Sequence, residues 1–218
     1  MVRRLIERVA WVVGLLALGS WALLSIAGPV AARRDVDRFL ADSNATASAS
    51  SSTPDFLLWS TIRIQAWRAA HAAPAPMPTG VLRIRRLSVE APIYDGTDEG
   101  TLNRGVGHIA GTPLPGASGN SGLAAHRDSY FRALKDITAG DAIEIVTRAS
   151  IVTYRVDRTW IVAPDDVWVL DPTPVPAVTL VTCYPFYFIG SAPQRFIVRA
   201  LETSIASRKN TGNTPGGS

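Results

Sequence analysis

Thr179-Leu180-Val181-Thr182-Cys183-Tyr184-Pro185 holds the only cysteine of the chain and reads as the end of a buried strand. Val178 to Val181 is apolar and β-branched, and Tyr184-Pro185 closes the run, because proline donates no ladder hydrogen bond and restricts the residue before it. Cys183 is therefore expected at a strand tip. With no second cysteine it has no disulfide partner within the chain, and it reads either as a small buried hydrophobe or as a nucleophile. A nucleophilic thiol needs a proton-transfer partner and a group that holds an oxyanion.

The histidines are His71, His108 and His126. His126 follows the apolar run Gly122-Leu123-Ala124-Ala125, an expected strand, and precedes Arg127-Asp128-Ser129-Tyr130-Phe131. Arg195 lies twelve residues beyond Cys183 and opens Phe196-Ile197-Val198-Arg199-Ala200, whose alternation suits a half-buried strand. That spacing fits two neighbouring strands joined by a loop over 186–193, so Cys183, His126 and Arg195 can converge at one end of a sheet. From Gly80 onward, runs at 81–85, 91–94, 142–146, 151–156, 159–162 and 167–170 predict further short strands between Gly, Pro and Asp turns, with one helical turn near 130–134. Many short strands of this kind indicate an all-β barrel or sandwich.

Thr-Leu-Val-Thr-Cys at 179–183, Ala-His-Arg-Asp at 125–128 and Pro-Gln-Arg-Phe at 193–196 together resemble the sortase family of cysteine transpeptidases, most of all its class D. Gly107-His108, Gly111-Thr112, Gly119-Asn120, Gly140-Asp141 and Gly190-Ser191-Ala192-Pro193 extend the resemblance over residues 79–202. It implies an eight-stranded sortase-type β-barrel with short helices, preceded by a transmembrane helix. It further implies His126, Cys183 and Arg195 as catalytic residues, with Thr182 lining the site. In the implied mechanism the thiolate attacks the Thr–Gly carbonyl of a Leu-Pro-x-Thr-Gly-like sorting signal and His126 protonates the departing amine. Arg195 holds the substrate backbone or oxyanion. The thioester then passes to an amine acceptor, either a cell-wall precursor or a protein lysine. His108 matches a non-catalytic position of the family. A cysteine peptidase acting on the same signal, and a non-enzymatic membrane-tethered β-domain, are the alternative readings.

The remainder of the 218 residues is extra to this domain. After a short basic segment, 1–8, residues 9–32 are uncharged for 24 positions, roughly 36 Å as a helix and enough to cross a hydrocarbon core of about 30 Å. This is the expected membrane anchor, with a signal peptide cleaved after Val30-Ala31-Ala32 as the alternative. Arginines on both sides leave the positive-inside count tied, and the resemblance places the domain on the extracytoplasmic side. Residues 33–78 read as a flexible tether, over 41–53, and an amphipathic helix. That helix would start near Thr53-Pro54-Asp55, with Phe56, Trp59, Ile62 or Arg63, and Trp67 three to four residues apart. It would pack on the domain or lie on the membrane surface, with His71 exposed at its edge. Residues 203–218 read as a disordered tail.

A formal charge of +4 raises the question of nucleic acid, yet residues 79–202 hold twelve Lys/Arg against thirteen Asp/Glu. The basic excess lies outside the domain, and no nucleic-acid partner is expected. No cofactor is expected either. Glu90, Asp95, Asp98 and Glu99 read as an acidic solvated loop, with calcium ligation as the alternative.

Overall fold

The runs that alternate in sequence pair into a single closed ladder. In this computed structural model the described residues are 11, 33–39, 56, 59–72, 76–187 and 190–207. The strands are β1 Gly80–Ile84, β2 Val89–Asp95, β3 Val106–His108, β4 Asn120–Ala124, β5 Ala142–Thr147, β6 Ser150–Val162, β7 Ala177–Tyr184 and β8 Gln194–Ser207. They close in the order β1-β2-β3-β4-β7-β8-β6-β5, so the expected eight-stranded barrel is present. Two pairs, β2 with β3 and β4 with β7, are parallel; the other neighbours are antiparallel.

Period-two alternation fills the interior. Val178 and Leu180 of β7, Val198 and Ala200 of β8, and Val152, Tyr154 and Val156 of β6 point into one core with Leu82, Ile84, Leu123, Phe131 and Ile143. A second cluster lies on the outer face, where Val162, Val169 and Ile197 pack with Trp160, Leu170 and Val181.

Four features differ from the sequence expectations. The runs 151–156 and 159–162 form one strand, β6, whose register shifts against β8 between Thr153 and Tyr154 and between Val156 and Arg158. The 167–170 run is a 3-10 turn, Val167–Leu170. Its region's carbonyls are taken by side chains instead of a ladder: Asn120 Nδ2 donates to Val169 and Asp171 oxygens at 3.0 and 3.2 Å, and Arg199 Nη2 donates to Val169 O at 2.5 Å. The supposed acidic loop contains a helix, Glu99–Arg104, because Asp98 caps it by accepting from Thr101 N at 3.0 Å. Finally, β8 runs through Ser207, past the expected domain end at 202, since it pairs with β6 up to Ser150.

The segment before the barrel is partly built into it. Residues 33–39 are helical, and Val36 and Phe39 are buried against Val81 and Val146. The helix Thr61–Ala72 carries Trp67 into a buried aromatic cluster with Trp59 and Phe56, with ring centroids 4.9–6.3 Å apart. Burial of both tryptophans removes the basis for a helix lying on a membrane through them. His71 is not the exposed bystander expected: its ring lies 4.2 Å from that of Trp67, its Nδ1 donates to Trp67 O at 2.8 Å, and burial lowers its pKa. Apart from Trp11, the expected anchor 9–32 lies outside the described residues, as do the tether 41–53 and residues 208–218. Among the described residues no helix is long and apolar enough to cross a membrane.

Candidate active site

The site forms where β4, β7 and β8 end together. Cys183 and Arg195 are direct partners across the β7–β8 ladder. Alternation turns both away from the core, Cys183 with Val181 and Arg195 with Ile197, while Tyr184 and Phe196 pack inward as rings 6.3 Å apart. On the other side of β7, Ala124 pairs with Val181, and Ala125 N donates to Val181 O at 3.3 Å. His126 therefore emerges one residue beyond that bond, beside the strand end that carries Cys183. Among the described residues Cys183 is a free, half-buried thiol.

His126 is enclosed, with its side chain 20% exposed. Its Nε2 has no hydrogen-bond partner among the described residues and lies 3.6 Å from Glu99 Oε1. Burial lowers the imidazole pKa, and the Arg63 guanidinium lowers it further; Glu99 and Asp128 oppose this, and Arg127 adds to the lowering. The neutral ring that results is a proton acceptor.

The Arg195 guanidinium donates through Nη1 to the backbone oxygens of Ala192 at 3.3 Å and Gln194 at 3.0 Å. It rests on its own loop next to Cys183, with donors that an incoming carbonyl or oxyanion can take over. Thr182 differs from its expected role. It is 3% exposed and its Oγ1 donates to Ala125 O at 2.7 Å, so it faces the interior and ties β7 to the backbone just before His126. The rival histidine, His108, is also buried and saturated: Nδ1 lies 3.4 Å from Asp95, and Nε2 contacts Pro113 O at 3.1 Å and Thr112 Oγ1 at 3.2 Å.

One wall beside β7 is the Val167–Leu170 turn. It sits against β4 at Gly122, where a Cβ would lie 3.0 Å from Leu170 Cδ2 and 3.1 Å from Ile109 Cδ1. Trp168 remains 44% exposed and Val167 70%, an apolar surface alongside the strands that carry the site. Among the described residues no group of three or more His, Cys, Asp or Glu is placed to hold a metal ion. Of the acidic residues considered for calcium, Glu90 pairs with Arg83 at 3.0 Å and Asp98 caps its helix.

The sortase-domain family model matches residues 82–203. The chain belongs to the sortase family. Sortase D of Bacillus subtilis (strain 168) is 35% identical over 121 residues, covering 55% of this chain and 61% of that protein. Sortase A of Streptococcus agalactiae serotype III (strain NEM316) is 27% identical over 130 residues, 56% of this chain and 51% of that one. The match thus spans between half and two thirds of these curated relatives. Among solved structures, Sortase E1 from Streptomyces coelicolor, with a tripeptide in its active site, aligns with a TM-score of 0.55 and 30% identity over 65% of this chain and 98% of that one. A Clostridium perfringens Sortase D5 transpeptidase aligns at 0.59 over 80% of this chain and 99% of that one, with 20% identity, a likeness of fold.

Three residues around the sortase site were not assigned to it from sequence. Arg127 donates to Pro185 O at 3.0 Å and Gly190 O at 2.9 Å, joining the histidine loop to the loop that follows the cysteine. Glu99 and Arg63 come from two helices outside the histidine loop and both approach His126. The signal for Arg63 was present, since it stands four residues from Trp59 and four from Trp67, the spacing of one face in the expected helix. An arginine on a buried stripe requires a partner.

Proposed function

We propose that the protein is a cysteine transpeptidase that cleaves a Leu-Pro-x-Thr-Gly-like sorting signal and transfers the protein bearing it to an amine, either a cell-wall precursor or a protein lysine. The pairing of Cys183 with Arg195, one strand over from His126, carries the reading. Neutral His126 takes the Cys183 proton; the thiolate attacks the scissile carbonyl, and Arg195 donors stabilise the oxyanion. Collapse breaks the C–N bond, and His126 returns its proton to the leaving amine. The thioester is then attacked by the second amine, whose proton passes to His126 as the thiolate leaves. The exposed Trp168 and Val167 offer the apolar part of the signal a surface on the turn that packs with Val181 of the cysteine's own strand. The uncharged run 9–32 supports a single-pass anchor, and the likeness to sortases supports the extracytoplasmic side for the domain.

The test is intact mass of the full chain in detergent micelles after incubation with a panel of such peptides, with Cys183→Ala as control. An acyl adduct on the wild type only, discharged faster by an added amine than by water, is expected. Discharge by water alone makes the protein a peptidase. No adduct with any peptide, while a thiol-reactive probe still labels Cys183, overturns the substrate class.

A further inference from the structure

The helix that precedes the barrel reaches His126 through one side chain. Arg63 lies on the buried face of Thr61–Ala72, its guanidinium carbon 4.1 Å from the centre of the Trp59 ring. Its side chain is 15% exposed, and it forks between two parts of the barrel. Nη1 donates to Asn103 Oδ1, on the helix Glu99–Arg104, and lies 3.9 Å from Glu99 Oε1. Nη2 donates to Asp128 Oδ1 at 3.3 Å, two residues after His126. The Asn103 amide turns back to Glu99 Oε1 at 3.2 Å, and that same oxygen faces His126 Nε2 at 3.6 Å.

Two carboxylates and a histidine thus surround one guanidinium delivered from outside the catalytic domain. The charged groups facing His126 are Arg63 from the preceding helix, Glu99 from the short helix, and Asp128 and Arg127 from its own loop. Without Arg63, the Glu99 and Asp128 charges would act on the ring with Arg127 as the one cation left among these groups. The two segments would also lose their shared anchor, for a planar fork is what lets one side chain hold two acceptors at once.

We propose that Arg63 is a positioning residue of the active site, fixing the Glu99–Arg104 helix against the His126–Asp128 loop and balancing the two carboxylates beside His126. The segment before the barrel is then a working part of the enzyme as well as a connector. The claim about reaction rate rests on the transpeptidase reading; the claim about the histidine does not.

The experiment separates the two. In the full chain carrying Cys183→Ala, NMR titration of the imidazole rings gives the His126 midpoint without any substrate, and the His108 resonance reports folding. Arg63→Gln is expected to raise the His126 midpoint by about one pH unit, because the carboxylates favour imidazolium once uncompensated. Glu99→Gln is expected to lower it, and Arg63→Gln with Glu99→Gln to fall between. A His126 midpoint unchanged in folded Arg63→Gln overturns the proposal. Should Arg63→Gln fail to fold, Arg63→Lys replaces it: an ammonium keeps the charge and loses the fork. The expected result is a near wild-type midpoint with an acyl-transfer rate about tenfold or more lower, and a wild-type rate overturns the positioning role. With Cys183 intact, the acid limb of the pH–rate profile should rise in Arg63→Gln together with the NMR midpoint, and a limb that stays in place overturns the link to catalysis.

Discussion

The hydroxyl of Thr182 donates a 2.7 Å hydrogen bond to the carbonyl of Ala125, joining the residue before the cysteine to the residue before the histidine. Both partners are buried, and the bond lies across the parallel pairing of β4 and β7. It therefore helps set the separation of Cys183 and His126 from inside the barrel. Thr182→Val keeps the shape and leaves the buried carbonyl without this donor, a loss of about 1–3 kcal/mol in denaturant unfolding. The acyl-transfer rate should fall about tenfold or more through misplacement, while Thr182→Ser retains most of both. A Val variant of full stability and rate would show that the bond is redundant with the ladder.

Arg195 is expected to matter for chemistry far more than for folding. Among the described residues its guanidinium hydrogen-bonds only the backbone carbonyls of Ala192 and Gln194, so Arg195→Ala should leave unfolding within about 1 kcal/mol of wild type. The loss should appear in kcat, about 10²–10³-fold, as for removal of an oxyanion donor. Arg195→Lys should recover little, because one ammonium cannot reproduce the fork. Loss confined to KM would assign Arg195 to ground-state binding of the signal.

The barrel was legible because its strands alternate and its turns are marked by glycine, proline and aspartate. The candidate catalytic set was legible because Cys183, His126 and Arg195 each stand at the end of an apolar run. What sequence did not reveal depends on contacts distant along the chain. Val167–Leu170 has a strand's composition, but Asn120 and Arg199 take its carbonyls, and neither is a neighbour in sequence. Val106–His108 is too short for a pattern, and is held because Gly107 lets the backbone approach Gly96, whose carbonyl would lie 2.2 Å from a Cβ. The resemblance implies Thr182 at the site, with a hydroxyl that serves only the strand as the alternative. Alternation turns it the other way.

The segment 33–39 is held to the barrel by a polar bond as well as by Val36 and Phe39. Tyr94 donates its hydroxyl to Asp35 Oδ2 at 2.8 Å, where both are buried. Burial first, and the Asp35 charge second, push the Tyr94 phenol well above the ordinary range, so it remains a donor throughout physiological pH. Tyr94→Phe leaves the Asp35 carboxylate without that donor, at a cost of about 1–3 kcal/mol. Hydrogen exchange should localise the effect: backbone amides of 33–39 exchange faster, and those of β7 and β8 keep their protection. Uniform acceleration across the barrel would show that the segment unfolds with the domain and not ahead of it.

Asp141 gives the clearest pH signature. Its carboxylate accepts from Arg86 Nε and Nη2, each at 2.5 Å, and from Thr138 N at 2.8 Å, and its side chain is 7% exposed. The hydrogen bonds from Arg86, joined by those from Thr138, outweigh burial and hold its pKa down at about 2. A depressed carboxyl stabilises the fold above its unfolded pKa, near 3.9, and that stabilisation is lost as pH falls towards the folded value. Asp141→Asn should therefore lower Tm on the order of 5 °C at neutral pH, with the gap to wild type narrowing below pH about 4 and closing near pH 2. The exposed half of Arg86 adds a modest salt dependence above pH 5. A gap that persists undiminished at pH 2 would mean that the amide destabilises through geometry at the β5 turn, and that the charge of Asp141 contributes little.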